Sequence, residues 1–284
     1  MAADGYPVAV TCRILKVSTS GYYEWRHRPA CARDQSDALL ANVIRDIPAG
    51  SRGCYGAPRV HAELRLGNAE RVGRKRVARL MRLLDITGIG ARRKRRDRPA
   101  PAVHDDLVAR QFVAERPDQI WCTDITEHPT ATGKVYCCGV LDTFSRRIVG
   151  WSIADHMRTD LVVDALQMAL WRRQPDAGTI MHSDRGSQYT SWVFGQRLRT
   201  AGLLGSMGRV ASSVDNTMME SFWSTMQREL LDTRTWESRD QLASAIFEWI
   251  EAWYNPHRRH SGIEYSSPAD YEHAYHQQAA TAVA

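Results

Sequence analysis

The apolar positions of the chain recur with two different periods, and the change falls just before residue 119. Up to that point they return every three or four residues, which predicts helices. Val8 to Trp25 reads as two short helices around a Ser18-Thr19-Ser20-Gly21 turn. Cys12, Leu15 and Val17 lie on the first apolar face and Tyr22, Tyr23 and Trp25 cluster in the second, the spacing of a minimal helix-turn-helix. Asp37 to Ile47 sets Leu39, Leu40, Val43 and Ile47 to one side and stops at Pro48 and Gly50. Pro58 opens a further helix that carries Val60, Leu64 and Leu66 to a stop at Gly67-Asn68. In the run from Arg74 to Asp85, Val77, Leu80, Met81 and Leu84 form one stripe and leave Arg74, Lys75, Arg76, Arg79 and Arg82 outside. That makes it the best candidate to enter a nucleic-acid groove.

From Gln119 the period shortens to two. Strands are predicted at Gln119–Thr126, Val135–Asp142 and Ile148–Ile153, joined by turns at Ala131–Lys134 and Thr143–Arg146 as an antiparallel meander. A helix over Asp160–Arg172 then leads to a strand at Thr179–Ser183, which a helical crossover makes parallel to its partner. Ser191–Ala201 reads as a helix, Leu203–Met207 as a fifth strand and Ser238–Tyr254 as a long helix. The fold class is therefore α/β, a mixed five-stranded sheet with helices on both faces, preceded by a small all-α region. Five segments follow: 1–30, a helix-turn-helix-like pair; 31–91, a helical leader; 92–115, a basic linker with Pro99 and Pro101; 116–275, the sheet domain; and 276–284, a flexible tail.

Composition sharpens this reading. Hydrophobic residues make up 43% of the 284, enough for a core, and no run approaches the roughly 18 apolar residues that span a bilayer. With no secretory signal at its start, the chain is expected to be cytoplasmic. The six cysteines show no C-x-x-C pair and no histidine at zinc spacing, and read as small buried apolar side chains. The net charge of +6 conceals an asymmetry: residues 1–98 hold 21 Lys and Arg against 9 Asp and Glu, the remainder 17 against 23. The basic third is suited to gripping a polyanion, most densely at Arg92-Arg93-Lys94-Arg95-Arg96, where phosphate contacts give affinity without sequence information.

The acidic remainder concentrates carboxylates for metal. Alternation puts Ile120, Cys122 and Asp124 on one face of a strand otherwise fit for burial, where a charge is rare unless paired or on a cation. Asp184 falls just past the end of its strand, where sites lie in such sheets. Glu220 follows after 35 intervening residues, at the margin of the helical stripe Met219, Phe222, Trp223, Met226 and Leu230. Three acids on separate elements can hold two divalent cations, the chemistry by which phosphodiesters are cut and rejoined. Asn216, one turn before Glu220, is expected either to orient it or to touch DNA; Arg185 begins a polar loop suited to a DNA phosphate, and Arg258 and Arg259 lie in a basic patch expected to contact DNA. His182 reads as a buried strand histidine or a donor behind the acids, and Asp142 as a turn cap.

Trp121-Cys-Thr-Asp-Ile-Thr126, Leu141 to Trp151, His182-Ser-Asp-Arg-Gly-Ser-Gln-Tyr-Thr-Ser191, Asp215-Asn216 with Glu220-Ser-Phe-Trp223, and Tyr254-Asn255 with Arg258, Arg259 and His260 closely resemble bacterial insertion-sequence transposases, the DDE enzymes with a retroviral-integrase-like core. The resemblance covers Asp118 to Tyr271 strongly and Ser36 to Gly88 more loosely. It implies an RNase H-like fold, DNA strand cleavage followed by 3′-OH strand transfer, and dependence on Mg²⁺, which Mn²⁺ is expected to replace. The family's catalytic and metal-holding acids carry over onto Asp124, Asp184 and Glu220. Expected partners are DNA, as element ends and target, further copies of the chain on that DNA, and an upstream-frame DNA-binding protein or fusion. A catalytically inactive DNA-binding regulator and a plain RNase H-like nuclease are the alternatives.

Overall fold

The computed structural model describes residues 7–27, 31–89, 108, 114–184, 186–207 and 216–283. Among them the chain divides into two compact units, one drawn from 1–53 and 60–87, the other from 54–59 and 88–284. The leader expected at 31–91 is thus shared out: 54–59 and the residues from 88 on go with the sheet, while the N-terminal pair goes with the leader.

In the first unit α1 (Val8–Ile14), α2 (Thr19–His27), α3 (Ala32–Gly50) and α5 (Arg74–Leu83) are accompanied by the greater part of α4 (Ala57–Leu66). Its buried side chains include Leu40, Ile44 and Ile47 of α3, Val60 and Leu64 of α4, and Val77, Leu80 and Met81 of α5, the stripes that the period predicts. At two points α3 departs from expectation. It begins at Ala32 rather than Asp37, with the Asp34 carboxylate accepting the Cys31 N–H at 3.1 Å, a polar start with no apolar stripe to reveal it. It also runs through Pro48 to Gly50, because a proline in the last turn forfeits one hydrogen bond and leaves the earlier ladder intact.

The second unit is built on a sheet of five strands, β1 (Ile120–Thr130), β2 (Gly133–Asp142), β3 (Ile148–Ala154), β4 (Ile180–Ser183) and β5 (Leu204–Met207), in the order β3-β2-β1-β4-β5. The first three are antiparallel; β4 pairs parallel with β1 and β5 parallel with β4. This order and these directions are those of the RNase H-like fold. The β1–β2 hairpin reaches four residues beyond the expected Thr126, through the polar Glu127–Thr130, because its tip lies outside the apolar part of the sheet and carries no period-two signal.

Two glycines let helices close onto opposite faces of the sheet. A Cβ at Gly150 would meet the Ala165 carbonyl oxygen at 2.3 Å, so α6 (Thr159–Arg173) lies directly on β3. One residue over in the ladder, a Cβ at Gly139 would stand 3.2 Å from Met219 Cε and 3.3 Å from the Trp223 ring, so α8 (Thr217–Glu229) packs on β2 from the other side. The α6 face encloses the main core, with Trp121, Val140, Leu166, Met181 and Phe194 of α7 (Trp192–Thr200) all buried. After α8 come α9 (Arg239–Glu248), a π-helical turn over Trp249–Tyr254 and α10 (Pro268–Val283). The single helix expected over Ser238–Tyr254 therefore widens in its last turn. The flexible tail expected from residue 276 is instead the continuation of α10 as far as Val283: Glu272 anchors the helix to Ser145, Arg147 and Arg173, and an alanine- and glutamine-rich sequence carries it outward without any apolar stripe. No helix of the described residues is long and apolar enough to cross a membrane.

Candidate active site

The register between β1 and β4 ends with Thr123 opposite Ser183, so the next residues lie side by side, Asp124 continuing in β1 and Asp184 just past the end of β4. Adjacent strands are about 4.8 Å apart, which brings two carboxylates together. Asp124 also pairs with Gly139 across β1 and β2, and the open space above that glycine is filled by the Trp223 indole. From there Trp223 Nε1–H donates to Asp124 Oδ2 at 3.1 Å. Burial, and after it the charge of Asp184, push the Asp124 carboxyl up from 3.8 to about 7, against the Ile125 N–H and the Trp223 donor, with Glu220 adding a smaller repulsion. On the other acid, Oδ1 accepts the Gly186 N–H at 2.9 Å.

Glu220 lies on α8, near enough to the pair to add a repulsion to Asp124. Asn216, Glu220 and Trp223 recur at helical spacing on one side of that helix, and the outer two are tied to β1, Trp223 to the Asp124 carboxylate and Asn216 Nδ2–H to the Thr123 carbonyl at 3.0 Å. Glu220 itself is exposed, between these two tethers. The expectation that Asn216 orients the acid thus has a geometric basis, and its Oδ1 is buried with no partner among the described residues. Beneath the acids the buried Tyr189 hydroxyl lies 3.3 Å from Thr123 Oγ1 and 3.8 Å from Cys138 Sγ, forming a floor.

Hard carboxylate oxygens are the donors that Mg²⁺ and Mn²⁺ prefer, and two aspartates that repel one another fit such an ion. Among the described residues no three histidine, cysteine, aspartate or glutamate side chains stand close enough to enclose one. The fit rests on the Asp124–Asp184 pair, with Glu220 as the nearby third acid.

The other expected site residues separate sharply. Arg74 and Lys75 are exposed on the first turn of α5. Arg76 is held by Asp37 at 2.7 Å and Ser36 at 2.8 Å, and Arg79 also binds Asp37, so both join α5 to α3 rather than standing free. Arg258 corrects an expectation: it is 2% exposed, and its Nε and Nη2 both donate to Glu229, with Nη2 at 2.7 Å from Oε1, so it belongs to the interior and not to a DNA-contacting surface. Arg259 is half-buried, with Nη1 on the Tyr265 carbonyl at 3.1 Å. Arg92, Arg93, Lys94, Arg95, Arg96 and Arg185 lie outside the described residues. Asp142 is the turn cap that its position suggests, Oδ1 accepting from Phe144 N–H at 2.9 Å and Ser145 N–H at 3.1 Å. His182 is a buried strand histidine 3.1 Å from Ser206 Oγ. Sequence reasoning counted Trp223 only as part of the apolar stripe. Its role as donor to Asp124 had one faint signal, a glycine in the middle of the neighbouring strand.

Comparison with known proteins agrees with this architecture. Residues 114–213 and 202–268 each match an integrase core domain, and residues 34–96 match an HTH-like domain. The chain is 39% identical to the transposase for insertion sequence element IS629 of Shigella sonnei, over 96% of this chain and 94% of that protein. It is 36% identical to the transposase for insertion sequence element IS904 of Lactococcus lactis, over 87% and 98%. A solved structure of the HTLV-2 integrase catalytic core domain in complex with magnesium is similar at 16% identity and a TM-score of 0.41, covering 56% of this chain and 99% of that one. With its five-stranded sheet, its aspartate pair and relatives that match nearly end to end, the chain belongs to the insertion-sequence transposases that carry an integrase core domain.

Proposed function

We propose that the chain binds the ends of a mobile DNA element and cleaves and rejoins them to target DNA, with Asp124, Asp184 and Glu220 holding divalent cations at the scissile phosphate. The observation that carries this reading is the placement of Asp124 and Asp184 side by side where the parallel β1–β4 pairing stops, with Asp184 raising the Asp124 carboxyl and no cation among the described residues acting on it. Bound Mg²⁺, or Mn²⁺ in its place, would supply charge neutralisation and a nucleophile near neutral pH. The chain's own residues prepare that site. Trp223 engages Asp124 Oδ2 and the Gly186 N–H engages Asp184 Oδ1, which orients the two carboxylates, and Asn216 pins the start of α8 beside Thr123 so that Glu220 approaches the same point.

DNA is held by its phosphates, with Arg74 and Lys75 on α5 and the basic run Arg92–Arg96 as the contacts; Arg185, next to Asp184 in the sequence, and Arg259 are further candidates. The joining of two ends requires at least two copies of the chain on the DNA. An upstream-frame protein or fusion supplies end recognition in this reading, and the working place is the cytoplasm, on DNA. Labelled DNA ends incubated with the protein and Mg²⁺ test it: joined products are expected from the parent, and Asp184→Asn and Glu220→Gln should bind DNA as well but lose cleavage and joining by several orders of magnitude. Binding alone from the parent would identify a regulator, cutting without joining a nuclease, and joining by Asp184→Asn at near the parent rate would end the proposal.

A further inference from the structure

Behind α8, on the side away from the acids, Met218, Ser221 and Thr225 recur at helical spacing and line a cavity of about 80 Å³. Its other walls carry three guanidinium groups, Arg59, Arg146 and Arg258, together with His260. Like charges gathered in this way repel one another. Arg258 and Arg146 both act on Tyr254, all three arginines act on His260, and Arg258 disfavours the charge on Arg59. Among the described residues one carboxylate is bound to this group, Glu229, which accepts from Arg258 Nε and Nη2. Arg59 Nε–H is engaged by the Arg259 carbonyl at 3.1 Å, a neutral acceptor. The guanidinium of Arg146 has no hydrogen-bond or ion-pair partner among the described residues.

The backbone accommodates this arrangement at some cost. Arg146 adopts a left-handed φ of 64°, unfavourable for a side chain of its size, in the turn between β2 and β3. At Gly262 a Cβ would stand 2.5 Å from Arg146 Nη2, so the absence of a side chain there leaves room for the guanidinium. Cationic groups crowd round a small polar cavity, one of them unpaired, and among the described residues their charge is not balanced.

We propose that this cavity is an oxyanion site that takes a single phosphate group, bound by Arg146 and Arg59 with the Ser221 and Thr225 hydroxyls at its wall. Guanidinium groups match phosphate oxygens in geometry, and a charge-assisted bond of this kind is worth enough to change affinity about tenfold or more. The phosphate can be a phosphodiester of bound DNA or free inorganic phosphate, which share this chemistry. The site does not depend on the catalytic reading above, since it is defined by a different side of α8.

Thermal melting of the full chain in inorganic phosphate, against chloride at equal ionic strength, tests it. A saturable rise in melting temperature specific to phosphate is expected, with the apparent dissociation constant at least about tenfold weaker in Arg146→Gln. Ser261→Glu, at an exposed position on the cavity wall, should abolish the rise by placing a carboxylate where the phosphate belongs, and it serves if Arg146→Gln fails to fold. Polarisation with labelled DNA then identifies the source. Competition by phosphate beyond its ionic strength, lost in Arg146→Gln, assigns a DNA phosphodiester, and a phosphate-specific rise without competition assigns free phosphate. Equal shifts in phosphate and chloride, or an undiminished phosphate shift in a folded Arg146→Gln or Ser261→Glu protein, would overturn the proposal.

Discussion

At pH 8, without divalent cation, Asp124→Asn is expected to raise the melting temperature, a gain that shrinks towards nothing near pH 4, and in Mg²⁺ it is expected to abolish strand joining. The fold holds the Asp124 carboxyl at about 7 against 3.8 for an unperturbed aspartate, chiefly through burial and the charge of Asp184. A folded-state pKa above the unfolded one means that ionisation favours unfolding. Stability from this group is fully present below about pH 4, declines as pH rises towards 7, and is flat above. At about 1.4 kcal/mol per pKa unit the whole span is worth at most about 4 kcal/mol. Exposure of Asp184 to water and the desolvation that asparagine also suffers reduce the recoverable part to about 2 kcal/mol, or roughly 4–8 °C in a domain of this size. Asparagine retains an oxygen to accept the Trp223 N–H, so the packing over Gly139 is preserved. Asp142, whose carboxyl is raised to about 6, titrates in the same window but in both proteins, so it cancels in the difference. Melting curves of parent and variant from pH 4 to 8, in EDTA, measure the effect. A variant less stable than the parent at pH 8, or a difference independent of pH, would refute the description of Asp124 as a strained acid awaiting a cation. Adding Mg²⁺ should then close the gap by stabilising the parent alone.

Other substitutions separate the roles of neighbouring residues. Trp223→Phe keeps the ring on Gly139 but removes the donor that favours ionised Asp124, so the acidic limb of the joining rate should move to higher pH; an unchanged profile would remove Trp223 from the site. Arg74→Ala with Lys75→Ala should lower the slope of log affinity against log salt by about 2 and leave the melting temperature alone, whereas Arg76→Ala should lower the melting temperature through the loss of Asp37 and Ser36. Glu229→Ala leaves the buried Arg258 charge uncompensated and should cost about 3–5 kcal/mol in urea unfolding; a loss under 1 kcal/mol would show that water reaches that pair.

Much of this protein was legible in its sequence because local spacing reports local structure. The period-two runs located the first three strands and short runs between helices the last two, the stripe Val77, Leu80 and Met81 located α5, and the acids stood out as charges on or beside segments otherwise fit for burial. Where the sequence is polar and unpatterned, as at the start of α3, the tip of the β1–β2 hairpin and the outer half of α10, the element limits were not visible, since propensity and capping act there without an apolar stripe. Tertiary structure alone decided which charges are free. Arg258 and Arg74 look alike in the sequence, yet one is buried against Glu229, 29 residues away, and the other faces solvent. Arg76 and Arg79 differ from Lys75 only because Asp37 lies across from them. The same holds for Trp223 and Asp124, 99 residues apart and joined only because Gly139 leaves the sheet open between them. Local sequence sets period and propensity; the solvation of a charge and the partner of a hydrogen bond depend on groups that only folding brings into contact.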